Sequence, residues 1–242
     1  NIIYIYKNIY IYIYIYIYIY TYIHIMLIDL ITGKNVALVG PSSFLDNKNM
    51  GKLIDTFDIV IKINRFEDLL PKDHGKKVDI LFHNFSPSIP DKSIANCNTK
   101  LIVTTRSFRD ESTKKKKNQI KNIIRSEKIN KIPHEFYPIE ELPEDMENFI
   151  TGEKDDEKIY RKTAGLWIIG LLFSKINIIK QLGIFGIDFL FNDYNKKYNP
   201  ENYTTHQNME LELSLFKKMF QNYKENEKII IYDKDFFMYL TS

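Results

Sequence analysis

Short apolar runs recur along the chain from residue 36 onward, and polar or turn-forming residues close each of them. Runs of this kind are typical of buried strands. They predict strands at Val36–Gly40, Asp58–Asn64, Val78–Asn84, Lys100–Thr105, Leu182–Asp188 and Lys228–Asp233.

Helical patterns separate these runs. Helices are predicted over Asn49–Thr56 and over Asp110–Lys131, where isoleucines recur among lysines. An almost uniformly apolar segment, with Thr163 as its N-cap, predicts a buried helix through Phe173. His206 opens a last, amphipathic helix, whose apolar side carries Leu211, Leu215, Phe216, Met219 and Phe220.

Strands that alternate with helices are typical of βαβ units and parallel sheets. We therefore expect an α/β fold, with a single Rossmann-like domain whose mostly parallel sheet is flanked by helices. The segment Pro133–Asp156 interrupts the alternation because it is acidic and proline-bearing. It is expected to be irregular and to form a surface loop or lid.

Composition changes this picture little. A chain of 242 residues that is 44% hydrophobic fits one α/β domain with a sizeable core. The net charge of +3 gives no argument for nucleic acid binding, and the run Lys114–Lys117 is expected to be a solvated helix face. The single cysteine, Cys97, excludes an internal disulfide and a cysteine-based zinc site.

Residues 1–25 form a low-complexity extension of alternating Ile and Tyr. Alternating ATA and TAT codons encode these residues, so a TA repeat read in frame would produce the segment. We expect Met26 to be the natural start, residues 1–25 to lie outside the fold, and residues 26–242 to form the domain. A membrane anchor is the alternative, since the repeat is long enough to cross a bilayer as a helix. Tyrosine prefers the membrane interface, however, and the alternation favours a strand.

The turn that closes the first predicted strand is a candidate phosphate site. Gly40 and Pro41 end the strand, and Ser42 and Ser43 follow. In open α/β sheets, ligands bind outside the carboxyl ends of the strands. Small residues there let backbone N–H groups approach a phosphate, and serine hydroxyls can donate to it. A plain turn without a ligand is the alternative.

Three motifs carry a resemblance to a known family. The sequence VALVGPSSFLDNKNMGKLIDTFDIVIKIN, residues 36–64, resembles the large sialyl motif of glycosyltransferase family 29, the sialyltransferases. TAGLWIIGLLF followed by IFGID resembles the small motif, and THQNMELELSLFKK resembles the last motif, a histidine that opens a helix. RKTAG and FGIDF also resemble the bacterial sialyltransferases of family 42. The motifs occur in the family's order.

The chain departs from the family pattern at several positions. Pro41 and Ser42 stand where the family's V-G-N-G turn has asparagine and glycine, and Ala164 replaces a hydroxyl residue. Glu210 and Glu212 flank the family's usual glutamate position after the histidine. Two alternatives therefore stay open: a protein of this fold that binds a different nucleotide sugar, and a catalytically decayed homologue.

The resemblance implies a GT-A-like variant of the Rossmann-like fold and an activity. That activity is inverting, metal-independent transfer of sialic acid from a CMP-activated donor to a glycan hydroxyl. The implied partners are a CMP-sugar donor and a glycan acceptor, with no cofactor and no nucleic acid. The expected localisation is cytoplasmic or peripheral to a membrane, and a Golgi-type anchor stays open.

His206 is the expected catalytic residue. A neutral imidazole near pH 7 can take the proton of the acceptor hydroxyl. A surface or capping histidine is the alternative at this position, and His83, at the end of a predicted strand, is the second choice of base. His74 is expected to lie in a charged loop.

The donor nucleotide is expected to contact groups of three kinds. These are the turn after the first strand, the start of the buried helix with the arginine before it, and polar residues of strand ends and loops. Loop tyrosines donate to the phosphate in the bacterial enzymes. The predicted nucleotide-binding residues are Gly40, Ser42, Ser43, Asn64, Arg161, Thr163, Ala164, Gly165, Tyr194 and Tyr198.

Overall fold

The computed structural model describes residues 26–64, 66, 69–83, 99–104, 132, 134–136, 164–189 and 209–242. Seven strands form one sheet: β1 Asn35–Val39, β2 Ile59–Ile63, β3 Ile80–Phe82, β4 Leu101–Thr104, β5 His134–Phe136, β6 Gln181–Phe185 and β7 Ile229–Ile231. The spatial order is β5-β4-β3-β2-β1-β6-β7, and every neighbouring pair is parallel. The predicted parallel α/β fold is confirmed.

The helices in the described ranges flank this sheet. They are α1 at residues 26–31, α2 Gly51–Ile54, α3 Pro71–His74, α4 Ala164–Ser174, α5 Met209–Gln221 and α6 Lys234–Thr241. A 3-10 turn follows β1 at Ser43–Leu45. Asp233 caps α6, because its side chain accepts from the N–H of Phe236 at 3.0 Å.

The strand order contains one reversal of direction. From β1 to β5 each new strand is added on the same side, and β6 then returns to pair with the other side of β1. In open α/β sheets, such a switch leaves a crevice outside the carboxyl ends of the two strands, where ligands bind. The switch point between β1 and β6 is therefore the place to look for a site.

Apolar side chains pack on both faces of the sheet. On the larger side, alternate residues of the strands, such as Val36 and Leu38, pack against α1, α4, α5 and α6. On the other side, Val39, Val60 and Phe185 pack with Ile54 of α2. The sheet is therefore covered on both faces, as a parallel sheet requires.

Helix α4 has the length that a crossover to β6 needs. Its residues 166–173 are all buried, which confirms the predicted buried helix. Eleven helical residues rise about 16 Å, close to the length of a five-residue strand. Since the residues after Ser174 lead into the amino end of β6, the first turn of α4 lies at the carboxyl side of the sheet.

Some elements differ from the sequence prediction. The segment Pro133–Asp156 was expected to be irregular, but β5 lies within it. Strand β5 pairs with β4, with Ile102 opposite His134 and Thr104 opposite Phe136. A proline just before an edge strand is compatible with this pairing, because the outer side of an edge strand needs no donor. Helices α1, α3 and α6 were not predicted. The helix predicted over Asp110–Lys131 lies outside the described residues.

The amino-terminal extension, residues 1–25, also lies outside the described residues, so its exclusion from the fold stays a prediction. In the part of the chain that the structure describes, no helix combines the length and the apolar character needed to cross a bilayer.

Candidate functional site

The turns after β1 and β6 meet at the switch point. The strands are in register, with Val39 opposite Phe185, so Gly40 and Gly186 follow at the same level. The N–H of Gly40 donates to the carbonyl of Phe185 at 2.8 Å, and the N–H of Ser42 donates to the carbonyl of Gly186 at 3.0 Å. The two turns are therefore joined by backbone hydrogen bonds beyond the ends of the strands.

Both glycines are required by this close approach. A Cβ atom on Gly40 would overlap the carbonyl oxygen of Gly186 and the side chain of Ile187. Gly186 adopts φ +61, and a Cβ there would lie 2.8 Å from the side chain of Leu45. Glycine meets both demands because it has no Cβ and tolerates positive φ.

A side-chain hydrogen bond reinforces the same junction. The hydroxyl of Ser42 donates to Oδ2 of Asp188 at 2.6 Å. Ser42 is 1% exposed and Asp188 is 3% exposed, so water competes little for either group. Phe189 follows with φ 50, a backbone conformation that a bulky residue adopts only where its surroundings hold it there. Residues 186–189, which follow β6, are thus held in a specific conformation.

Asn64 adjoins the turn after β1 on its other side. Val39 pairs with Lys62 in β2, so Asn64 lies one residue beyond the level of Gly40. Its backbone has φ 50, its N–H donates to the carbonyl of Phe82 at 2.8 Å, and the residue is buried. Asparagine tolerates this conformation better than most residues.

The start of α4 lies at the same side of the sheet. Ala164 and Gly165 form its first turn, and both are partly buried. The N-terminus of a helix carries a partial positive charge, so this end of α4 is suited to an anion. The described part of the predicted site therefore collects at one edge: Gly40, Ser42, Ser43, Asn64, Ala164 and Gly165.

The rest of the predicted site lies outside the described residues. This holds for the predicted base His206 and for the predicted nucleotide-binding residues Arg161, Thr163, Tyr194 and Tyr198. Helix α5 begins at Met209, shortly after His206. Of the two glutamates that follow, Glu210 is exposed and Glu212 is fully buried.

Histidines 74 and 83 occupy different environments. His83 follows β3 directly and is buried. Its backbone N–H donates to the carbonyl of Val103 at 2.8 Å. His74 was expected in a charged loop, but it is the last residue of α3 and is 0% exposed. The reason is packing, because the carbonyls of Pro71 and Lys72 lie against Gly51 and dock α3 on α2.

Two titratable side chains near α3 are buried, which the sequence did not predict. Burial lowers the pKa of His74, and neither ring nitrogen has a hydrogen-bond partner in the described part of the chain. Burial also lowers the pKa of Lys62 to about 8, although Asp55 acts in the opposite direction. The ammonium group of Lys62 donates to the carbonyl of Gly75 at 2.7 Å and lies 5.5 Å from the centre of the Phe66 ring.

The arrangement of potential metal ligands bears on the predicted mechanism. Within the ranges that the structure describes, no group of three or more His, Cys, Asp or Glu residues is placed to hold a metal ion. Transfer without a metal stays a prediction.

A comparison with protein families decides the assignment. The model of glycosyltransferase family 29 (sialyltransferase) matches residues 32–224, which is most of the chain. The chain belongs to glycosyltransferase family 29. The resemblance seen in its motifs is thereby confirmed, and the protein is a glycosyltransferase of the sialyltransferase family. No curated protein matches the chain.

Solved structures with a similar fold include sialyltransferases. A mammalian sialyltransferase is similar to this family 29 chain with a TM-score of 0.52 and 14% identity, over 83% of this chain and 69% of the other. A variant of the sialyltransferase Cst-II in complex with CMP gives a TM-score of 0.51 and 15% identity, over 82% of this chain and 80% of the other. At this identity, the similarity supports the Rossmann-like fold.

Proposed function

We propose that this family 29 glycosyltransferase transfers sialic acid from a CMP-activated donor to a glycan hydroxyl, with inversion and without a metal. The observation that carries the proposal is the switch point at the carboxyl ends of β1 and β6, in a chain whose family is that of the sialyltransferases. The CMP complex of a structure with the same fold supports a cytidine nucleotide as the ligand.

The edge of the sheet at this switch point has the groups that a nucleotide phosphate needs. The turn after Gly40 can approach a phosphate closely because its residues are small. The first turn of α4 adds the partial positive charge of a helix N-terminus. Asn64, which follows the neighbouring strand β2, adds an amide side chain. We place the nucleotide between these elements, with Arg161, Thr163, Tyr194 and Tyr198 as further contacts.

The remaining chemistry is activation of the acceptor. Departure of CMP from the donor leaves an oxocarbenium-like sugar, and the acceptor hydroxyl must lose its proton as it attacks. We propose His206 as the general base, because an imidazole with an ordinary pKa near 6.5 is neutral at pH 7 and can accept that proton. Leaving-group charge would be stabilised by the donors of the β1 turn and of α4.

The test is turnover of CMP-sialic acid by the full chain. We expect release of CMP without an acceptor, faster release when a galactose-containing glycan is added, an unchanged rate in EDTA, and a product of inverted anomeric configuration by NMR. Binding of CMP in calorimetry without consumption of CMP-sialic acid would favour a different donor or a decayed homologue. Absence of CMP binding would overturn the proposal.

A further inference from the structure

Some hydrogen-bond donors of the turn after β1 donate to other groups of the protein, and others do not. Pro41 has no N–H, and the N–H groups of Gly40 and Ser42 donate to the carbonyls of Phe185 and Gly186. The N–H of Phe44 donates to the Ser42 hydroxyl oxygen at 3.1 Å. Three N–H groups of the turn are therefore committed to the protein itself, and Pro41 has none to offer.

The hydroxyl proton of Ser42 is committed as well. In the 2.6 Å contact the hydroxyl of Ser42 donates its proton to Oδ2 of Asp188. A serine hydroxyl has a single proton. Ser42 therefore has no proton left for a phosphate while this hydrogen bond is present.

Ser43 is different. Its carbonyl accepts from the N–H of Asp46 at 2.9 Å, and the residue is partly exposed. Its N–H and its hydroxyl make no hydrogen bond to any residue within the described ranges. Ser43 thus has two donors available beside a turn whose other donors are occupied.

We propose that Asp188 is a positioning residue, which holds Ser42 and thereby presents Ser43 to the phosphate of the nucleotide. This inference rests on the proposed function, since the ligand is the CMP part of the donor. The hydrogen bond is short and both of its side chains are buried, so water competes little with it and it can hold the turn. It also engages one oxygen of the carboxylate that lies in the described part of the turn after β6, close to where a phosphate would bind.

A crossed set of variants separates ligand contact from positioning. Ser43→Ala should weaken CMP binding about tenfold in calorimetry without changing urea unfolding, because it removes a ligand contact and no internal bond. Ser42→Ala and Asp188→Ala should each weaken CMP binding by about the same factor and also lower the urea midpoint. The double variant should bind CMP no more weakly than the single variants, because both remove the same hydrogen bond.

Two further variants make the comparison sharper. Asp188→Asn keeps an acceptor oxygen for Ser42, so we expect partial recovery of CMP binding relative to Asp188→Ala. Asp233→Ala is the matched control, because Asp233 is also a buried carboxylate that follows a strand, yet it caps α6 at β7. It should lower the urea midpoint and leave the dissociation constant for CMP unchanged.

The outcomes distinguish this inference from the proposed function. If the wild-type chain binds CMP, and Ser42→Ala and Asp188→Asn bind it equally well despite a lower urea midpoint, the hydrogen bond is merely structural and the inference is wrong. These two variants decide the matter even if Asp188→Ala does not fold. Wild-type affinity in Ser43→Ala would overturn the role of Ser43. A wild-type chain that does not bind CMP would overturn the proposed function first and the inference with it.

Discussion

Gly40 and Gly186 lie so close together that a Cβ on Gly40 would overlap the carbonyl oxygen of Gly186. The obstacle is backbone, so it cannot be relieved by a side-chain rotation. We expect Gly40→Ala to separate the turns after β1 and β6, with a loss of about 2 kcal/mol or more in the free energy of unfolding. CMP binding, measured by calorimetry, should be lost with it.

Gly51 provides the control for this prediction. A Cβ on Gly51 would overlap the carbonyl oxygen of Pro71, which is also a backbone obstacle, but at the contact between α2 and α3. Gly51→Ala should therefore destabilise the protein by a similar amount while the folded fraction still binds CMP. Equal loss of CMP binding in both variants would mean that the effect at Gly40 is a general consequence of instability.

His206→Ala tests the proposed base. Removal of a general base slows a reaction by about 10²- to 10⁴-fold, so transfer from CMP-sialic acid should fall by that factor. The affinity for CMP should be unchanged, because the base acts on the acceptor.

His83 is the second choice of base and provides the comparison. His83→Gln keeps a polar group after β3 and removes the imidazole. If His83→Gln abolishes transfer while His206→Ala leaves the rate unchanged, the roles of the two histidines must be exchanged.

His74 should make the stability of the protein depend on pH. Burial lowers the pKa of His74 below 6.5, and Lys62 acts in the same direction, whereas Asp46, Asp73 and the Leu70 backbone oppose it. The unfolded chain therefore binds a proton more readily than the folded chain. The free energy of unfolding should fall as the pH drops below about 6.5 and change little through this residue above it.

Two variants of His74 separate titration from polarity. His74→Gln and His74→Leu should both reduce the fall in stability between about pH 7.5 and 5, because neither side chain titrates. Only His74→Leu should be more stable than wild type at neutral pH, by about 1–2 kcal/mol, since it removes a buried polar ring without hydrogen-bond partners. Urea unfolding at several pH values measures both effects. An unchanged pH dependence in both variants would contradict the prediction.

Lys62 is expected to reduce stability at neutral pH. Its pKa is about 8 in the folded chain against 10.5 ordinarily, so the unfolded chain binds more protons between these values. The free energy of unfolding should therefore rise with pH from about 8 to 10.5, and the full cost of the buried charge, about 3 kcal/mol, applies below that window.

Replacement of Lys62 by methionine tests this expectation. Lys62→Met should stabilise the protein at pH 7 by about 1–2 kcal/mol, less than the full cost, because the Gly75 carbonyl loses its donor. Lys77→Met is the control: Lys77 is partly exposed and donates to the carbonyls of Phe57 and Asp58 at 2.6 Å, so its loss should destabilise. A Lys62→Met variant less stable than wild type at pH 7 would contradict the prediction.

The sequence predicted the parts of the fold that depend on local pattern. The apolar runs of β1 and β6 are long enough to identify as strands, and parallel strands bring Gly40 and Asn64 to one edge. Strand β5 was missed because three residues, two of them polar, show no period. Helix α6 did have a signal, since Asp233 caps a segment with Phe236 and Leu240 spaced four residues apart.

The site was less accessible to sequence reasoning where it depends on tertiary contacts. The hydrogen bond between Ser42 and Asp188 joins residues 146 positions apart, and no local pattern pairs them. His74 stands among charged residues in PKDHGKK, which indicates a loop, and only the packing of α3 against α2 buries it. Local patterns therefore located the edge of the sheet, while the assignment of each donor required the structure.

The insertion of β6 beside β1 also affects how the protein folds during its synthesis. Of the six strand pairings, this one joins the most distant segments, for example Asn35 with Gln181. During synthesis, β1 leaves the ribosome long before its second neighbour, and until then one side of a strand whose last four residues are apolar stays open. Such non-local pairings form slowly, and open strand edges invite association between chains. The crevice is thus completed late in folding, and yield in expression should improve at lower temperature or with chaperones that shield that edge.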